Sequence, residues 1–284
     1  MSETWTSLKL VAWTQGYFAR QGVDAPRLTA ELLLAEALHS DRMRLYLEFD
    51  KPLGEAELAA FRELVRRRAA GEPTAYLTGR KDFCQHTFRV DGRVLVPRPE
   101  TELLVEAALE TLPEGGEALD LCTGSGCVAV SLALGRAGAR VTAVEISPDA
   151  LAVARANALD LGAEVEFLEG DLYGPLAAGR RFDVIVANPP YVPSGEIDGL
   201  AREVRREPRL ALDGGPDGLA VLRRIAEGAP GRLRPGGALL AEMHETHLDV
   251  LPALCLAAGF ASARACRDLA GLPRYVVARA AGNA

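Results

Sequence analysis

The sequence predicts an α/β protein, with a doubly wound, mostly parallel sheet behind a small N-terminal helical bundle. Three features of the chain point there. From Glu117 onward, short apolar runs alternate with helical stretches, the pattern of a parallel sheet with crossover helices. The first of those runs leads into a glycine-rich turn, Asp120-Leu121-Cys122-Thr123-Gly124-Ser125-Gly126. Residues 1 to about 75 keep helical spacing and contain no convincing strand.

The first quarter reads as four helices. Leu8, Val11, Ala12, Tyr17 and Phe18 mark one apolar face. Asp24-Ala25-Pro26 starts a second helix, with Leu28, Leu32, Ala35 and Leu38 at helical spacing. Asp41 to Phe49 is a third. Gly54 to Ala70 is a fourth, closed by Gly71, with Leu58, Phe61, Leu64 and Val65 inward. Arg66-Arg67-Arg68 suits a solvated helix end, where cations favour the dipole. Gly71 to Gly79 breaks the pattern. Phe83 to Val96 then alternates apolar and polar around Asp91-Gly92, which predicts a β-hairpin turning at that dipeptide. Val96-Pro97-Arg98-Pro99-Glu100-Thr101-Glu102 opens a helix running to about Leu112, with proline and acids where a first turn favours them. Its density of Arg, Glu and Thr beside a hairpin suggests the wall of an active site. Strands follow at 118–121, 139–144, 165–168, 182–187 and 237–242, with helices at 124–136, 148–159, 218–228 and 247–258. A closing strand pair, 261–267 and 275–278, suggests one antiparallel member. The expected domains are a bundle over 1–78, a hairpin linker over 79–98 and a main domain over 99–284.

Composition narrows the function. The 284 residues are 49% hydrophobic and 25% charged, enough for a sizeable core. With 32 Lys and Arg against 39 Asp and Glu, the net charge of -7 argues against unaided, non-specific DNA binding. No stable nucleic acid partner is expected. The five cysteines, Cys84, Cys122, Cys127, Cys255 and Cys266, form no Cys-x-x-Cys pair, so reduced thiols in a cytoplasmic protein are expected. His244 and His247 lack a third ligand nearby and read as surface histidines; no metal site is expected. No signal-peptide pattern is present and no apolar run reaches about 18 residues, so no membrane span is predicted.

Three strand ends carry candidate ligand residues. Gly124 and Gly126 let backbone approach a ligand at a helix N-terminus, and Gly124-x-Gly126-x-x-Ala129 fits a dinucleotide fingerprint. Alone this is weak, because nicotinamide and S-adenosylmethionine folds share the turn. Glu145, followed by Ile146, ends the second strand and suits two ribose hydroxyls. Asp171 follows the third strand and suits an adenine amino group, with Leu172 against the ring. Each acid alone is an ordinary loop residue; three at successive strand ends are harder to dismiss. Asp120 would repel a pyrophosphate but not an amino acid zwitterion, which favours S-adenosylmethionine.

Asn188-Pro189-Pro190-Tyr191 follows the buried strand Phe182–Ala187. Asn before Pro is by itself a common turn. At the carboxyl end of a buried parallel strand it sits where open α/β sheets bind ligands. The prolines stiffen the loop and remove donors, so Asn188 Oδ1 and nearby carbonyls become fixed acceptors beside the flat face of Tyr191. Such a pair suits a planar –NH₂ group, either a carboxamide or the exocyclic amine of a base.

Together these residues resemble a class I S-adenosylmethionine-dependent methyltransferase, and more closely the HemK (PrmC) family of protein-(glutamine-N5) methyltransferases. Gly71-Glu72-Pro73, Pro97-Arg98-Pro99-Glu100-Thr101-Glu102 and Glu207 through Leu219 also look like that family's marks. The resemblance implies S-adenosylmethionine as cofactor, and as substrate the Gly-Gly-Gln glutamine of bacterial peptide chain release factors, held by the N-terminal bundle. It implies Asn188, Pro189, Pro190 and Tyr191 as the catalytic loop. Asp120, Cys122, Thr123, Gly124, Ser125, Gly126, Glu145, Ile146, Asp171, Leu172 and Asn188, with Arg98 and Thr101, form the implied cofactor-binding set. A monomer is expected. His244 and His247 stand where the family usually carries Gly and then Gln. The alternatives are an amino-group methyltransferase acting on adenine N6 or guanine N2 of a nucleic acid, a nicotinamide oxidoreductase, and a non-catalytic binding module. The oxidoreductase gives Asp120 and the Asn188 loop no role, and nothing favours the binding module, because every expected cofactor and acceptor position is filled.

Overall fold

A computed structural model describes residues 5–282, which divide into two units. The first comprises the chain up to Arg80 together with Ala201–Arg206. Its helices are α1 (Ser7–Arg20), α2 (Pro26–Ala37), α3 (Arg42–Leu47), α4 (Glu55–Ala69) and α5 (Thr74–Thr78). Phe18, Leu33, Leu34, Phe61 and Val65 meet in its core, as the helical spacing requires. The short α5 falls where the sequence pattern breaks, and closes at Gly79 in a left-handed conformation. The arginine run is a solvated helix end at Arg66, which is exposed, but not at Arg68. Arg68 is buried and pairs with Glu203, while Arg66 and Arg67 pair with Glu63 and Glu72.

The second unit comprises Lys81–Leu200 and Glu207–Ala284. It begins with β1 (Arg80–Phe83) and β2 (His86–Arg89), a two-stranded sheet. The hairpin turns at Cys84-Gln85, not at Asp91-Gly92. Cys84 and Gln85 take φ of 46° and 65°, the sign a two-residue hairpin turn requires. Burial overrides turn propensity here. Phe83 and Phe88 are fully buried edge to face at 6.0 Å, and Glu102 accepts from the Cys84 N–H at 3.2 Å. Asp91 instead heads a separate turn, accepting from the Val94 N–H through its carbonyl at 3.1 Å.

Helix α6 (Pro99–Thr111) follows, with Pro99 in its first turn. Next come β3 (Glu117–Leu121), α7 (Cys127–Gly135), β4 (Arg140–Glu145), α8 (Pro148–Leu161) and β5 (Val165–Glu169). After β6 (Phe182–Ala187) come α9 (Ala220–Gly228), β7 (Leu233–Glu242), α10 (Val250–Ala257), β8 (Ser262–Arg267) and β9 (Pro273–Arg279). The seven strands are ordered β5-β4-β3-β6-β7-β9-β8, and β9 alone runs against the rest. Successive side chains of β6 enter opposite layers, because the strand period is two. Val184 and Val186 pack with α6, α7 and α8; Ile185 and Ala187 pack with α9 and α10. The order reverses between β3 and β6, where Leu121 lies opposite Ala187. That switch point places the glycine turn after β3 beside the loop after β6. Among the described residues no helix is long and apolar enough to cross a membrane.

Candidate active site

A cavity of about 260 Å³ opens at this switch point, within the second unit. It is lined by the glycine turn (Asp120, Cys122, Thr123, Gly124, Ser125), by Glu145 and Ile146, and by Asp171 and Leu172. Thr101, Asn188 and Pro190 complete the set of expected residues that reach it. Gly126, Arg98, Pro189 and Tyr191 do not line it.

Asp120 sits at the end of β3, 1% exposed. One of its oxygens accepts from the Thr123 hydroxyl at 2.5 Å and from the Ala129 N–H at 3.2 Å. It therefore ties the glycine turn to the first turn of α7. Burial pushes its carboxyl up to about 7, against the pull of those two donors. Glu145 ends β4 and is also buried. Its oxygens accept from the Gly124 N–H at 2.9 Å and the Ser147 N–H at 3.0 Å, so the second acid clamps the same turn from the other side. The two glycines have different tasks. Gly124 takes φ +54°, and a Cβ there would meet nothing within 4 Å, which leaves its backbone open to a ligand. At Gly126 a Cβ would stand 3.0 Å from the Ala154 Cβ, so this glycine serves the packing of α7 on α8. Asn157 of α8 secures the frame, donating to the Ser125 and Arg89 carbonyls at 2.8 and 3.1 Å.

Asp171 is not a free loop acid: Arg224 of α9 donates to it at 2.7 Å. Leu172 is buried with φ +49°. Arg98 donates to Glu207 at 2.5 Å, and the other Glu207 oxygen accepts from the Val96 N–H at 3.0 Å. Glu207 thus joins the segment Arg93–Pro97 to Pro208–Ala211, and both segments contribute lining residues.

The Asn188 loop is held by hydrogen bonds and by glycines. Val192 and Gly214 exchange backbone bonds with their opposing strands of loop, Val192 N–H to Leu212 O and Gly214 N–H to Val192 O, each at 2.9 Å. A Cβ on Gly214 would stand 2.7 Å from the Gly218 carbonyl and 2.8 Å from Pro190 O and Tyr191 Cα. Asn188 Nδ2 donates to Thr101 Oγ1 at 3.2 Å. The Thr101 hydroxyl donates to Glu242 Oε2 at 2.7 Å, and the Tyr191 hydroxyl to Glu242 Oε1 at 2.9 Å. Burial disfavours ionisation of both Glu242 and Tyr191, holding each proton more firmly than usual. His247 is not a surface residue. It is 4% exposed, with Nε2 at 3.1 Å from the Asp217 carbonyl, and burial lowers its affinity for a proton.

Sequence reasoning did not place Glu242 or Glu207 in the site; Thr101, expected at the cofactor, lines the cavity and also accepts from Asn188. The one local signal at Glu242 is an acid ending the otherwise apolar run Ala238–Ala241.

The cavity has the acceptors a cationic, hydroxyl-rich ligand requires. Two buried carboxylates and an open glycine backbone face it, with Arg224 already paired to Asp171. Fold and site together define a class I S-adenosylmethionine-dependent methyltransferase. Residues 9–79 match the family described as PrmC N-terminal domain, and residues 99–216 the methyltransferase small domain. The release factor glutamine methyltransferase of Geobacter sulfurreducens is 46% identical over 278 residues, 98% of each chain. That of Bordetella pertussis is 48% identical over 252 residues, 88% of this chain and 93% of its own. The chain belongs to the release factor glutamine methyltransferase family. Among solved structures, a T. thermophilus 16S rRNA N2 G1207 methyltransferase in complex with AdoMet and guanosine is 23% identical with a TM-score of 0.55. The match covers 71% of this chain and 49% of that one, and shows a shared fold.

Proposed function

We propose that this protein methylates the side-chain amide nitrogen (N5) of the glutamine in the Gly-Gly-Gln motif of bacterial release factors, with S-adenosylmethionine as methyl donor. The observation that carries the reading is the orientation of Asn188. Its Nδ2 is committed to Thr101 at the edge of an acid-lined cavity, which leaves Oδ1 as the acceptor it can offer.

Bound S-adenosylmethionine supplies a methyl group made electrophilic by its sulfonium. The glutamine nitrogen is a poor nucleophile because its lone pair is delocalised into the carbonyl. Asn188 Oδ1 and the Pro189 carbonyl each accept one N–H of that amide, which orients the nitrogen and stabilises positive charge developing on it. Tyr191 packs against the amide plane. No strong base is needed, because the cationic N-methylated amide first formed is very acidic and loses its proton to water readily. Asp120 and Glu145 hold the glycine turn, and their charge favours the cationic end and the hydroxyls of the cofactor. Glu145 would hold the ribose hydroxyls and Asp171 the adenine amino group, with Leu172 beside the ring. The bundle of residues 1–78 holds the release factor. The protein acts as a cytoplasmic monomer without a stable nucleic acid partner.

Asn188→Ala lowers kcat on the order of 10²–10³-fold, as for removal of one oriented hydrogen-bond partner. The direct test supplies tritiated S-adenosylmethionine with a release factor, and beside it one whose Gly-Gly-Gln glutamine is replaced. Label on the first alone is expected. Label on neither, but on total RNA or DNA, would overturn the reading in favour of a nucleic acid base.

A further inference from the structure

A hydroxyl has one proton, and this decides how Asn188 is oriented. Thr101 Oγ1 lies 2.7 Å from Glu242 Oε2 and 3.2 Å from Asn188 Nδ2. Glu242 is 4% exposed, and its second oxygen already accepts from Tyr191 at 2.9 Å. An ionised carboxylate has no proton to give, so Thr101 donates to it. The lone pair of Thr101 then faces Asn188, and only the Nδ2 end of an amide can meet a lone pair.

We propose that Glu242 is a positioning residue for methyl transfer: through the Thr101 hydroxyl, its carboxylate fixes the Asn188 amide with Oδ1 as the acceptor offered to the substrate. This rests on the functional reading above and deepens it. Glu242 touches neither reactant. It sets the polarity of a chain in which each member has a single arrangement, and such chains hold a side chain more firmly than one contact does.

Protonation reverses the chain. A neutral Glu242 donates from Oε2 to Thr101, Thr101 turns its proton to Asn188, and the amide must then present Nδ2 to the substrate. Two donors would face each other and the acceptor would be lost. Burial disfavours the charge on Glu242, so this reversal begins above the ordinary carboxylate range. The charged and titratable groups acting on Glu242 are Tyr191, Glu100 of α6 and Arg274 of β9. Of the two neighbouring charges, Glu100 favours the neutral form and Arg274 the ionised one.

The test uses the full-length protein with Thr101→Val, Thr101→Ser and Glu242→Gln. Thr101→Val keeps the shape and removes the relay. It lowers kcat on the order of 10–100-fold, less than loss of the acceptor itself, while S-adenosylhomocysteine affinity, measured by calorimetry, falls by much less than kcat. Thr101→Ser restores kcat. In wild-type protein kcat falls on acidification as Glu242 takes up a proton, and that acid limb is absent in Glu242→Gln, whose amide cannot titrate. A readout independent of turnover is the side-chain amide NMR signal of Asn188, assigned by its absence in Asn188→Ala. Its hydrogen exchange accelerates in Thr101→Val and not in Thr101→Ser. Wild-type kcat in Thr101→Val, a fall in S-adenosylhomocysteine affinity matching the fall in kcat, an acid limb retained in Glu242→Gln, or unchanged Asn188 exchange would each overturn the proposal. Should the wild-type protein fail to label a release factor, the functional reading falls while the exchange comparison still decides the relay.

Discussion

Replacing Asp120 by Asn isolates the cost of keeping a carboxylate at the buried end of β3. Burial holds its carboxyl at about 7, against an ordinary 3.8. In the unfolded chain the group ionises near its ordinary value. Between about pH 4 and 7 the folded ligand-free protein therefore binds the extra proton, and stability falls as pH rises through that window. Below it both states are protonated; above it both are ionised and the loss is complete. At 1.36 kcal/mol per pH unit the loss is worth roughly 4 kcal/mol. Asn keeps both hydrogen bonds, since a single Asp120 oxygen accepts from Thr123 and Ala129, and removes the charge. Urea denaturation of the ligand-free proteins at pH 5 to 8 is expected to show stability falling with pH in the wild type and a flatter profile in Asp120→Asn. The variant gains most at pH 8. A cationic ligand reverses the preference: wild-type affinity for S-adenosylmethionine rises with pH through about 7, and the variant's does not. Parallel stability profiles for the two proteins would refute the reasoning. A destabilising acid retained at a ligand site is what function, rather than folding, requires.

Two further substitutions probe the frame. Gly214→Ala drives a Cβ to 2.7 Å from the Gly218 carbonyl, on the back of the Asn188 loop. It is expected to cost about 1–3 kcal/mol by thermal or urea unfolding and to lower kcat more than S-adenosylhomocysteine affinity. Glu207→Ala removes the acceptor of the buried Val96 N–H and the partner of Arg98. A loss of about 1–3 kcal/mol is expected from the orphaned donor. Weaker S-adenosylhomocysteine binding by calorimetry accompanies it, because Glu207 joins two lining segments; unchanged affinity would mean that the cavity wall is indifferent to this tie.

The parts of the site legible in the sequence are those made by one strand and the loop that follows it. Asp120 with the glycine turn, Glu145 at the end of β4 and Asn188 after β6 each announce themselves by residue type at the end of an apolar run. What was not legible is made by residues far apart. Thr101 and Glu242 are 141 positions apart, and Val96 and Glu207 are 111 apart. Local pattern carries no trace of such pairs, so Thr101 read as a cofactor residue and Glu242 as the end of a strand. The hairpin shows the same limit. Asp91-Gly92 has the better turn chemistry, yet Phe83 and Phe88 bury together only if the chain turns at Cys84-Gln85.

By itself the sequence determined the layer architecture and the cofactor class, and pointed to the Asn188 loop, because hydrophobic period and strand-end chemistry are short-range properties. Only the tertiary structure decided which of those side chains are free to act. It left Gly124 open and packed Gly126 against α8, turned Arg98 to Glu207, and gave the Thr101 proton to Glu242. Each of those outcomes depends on which distant group is buried beside it, since a buried donor or acceptor must be satisfied by whatever the fold brings within reach.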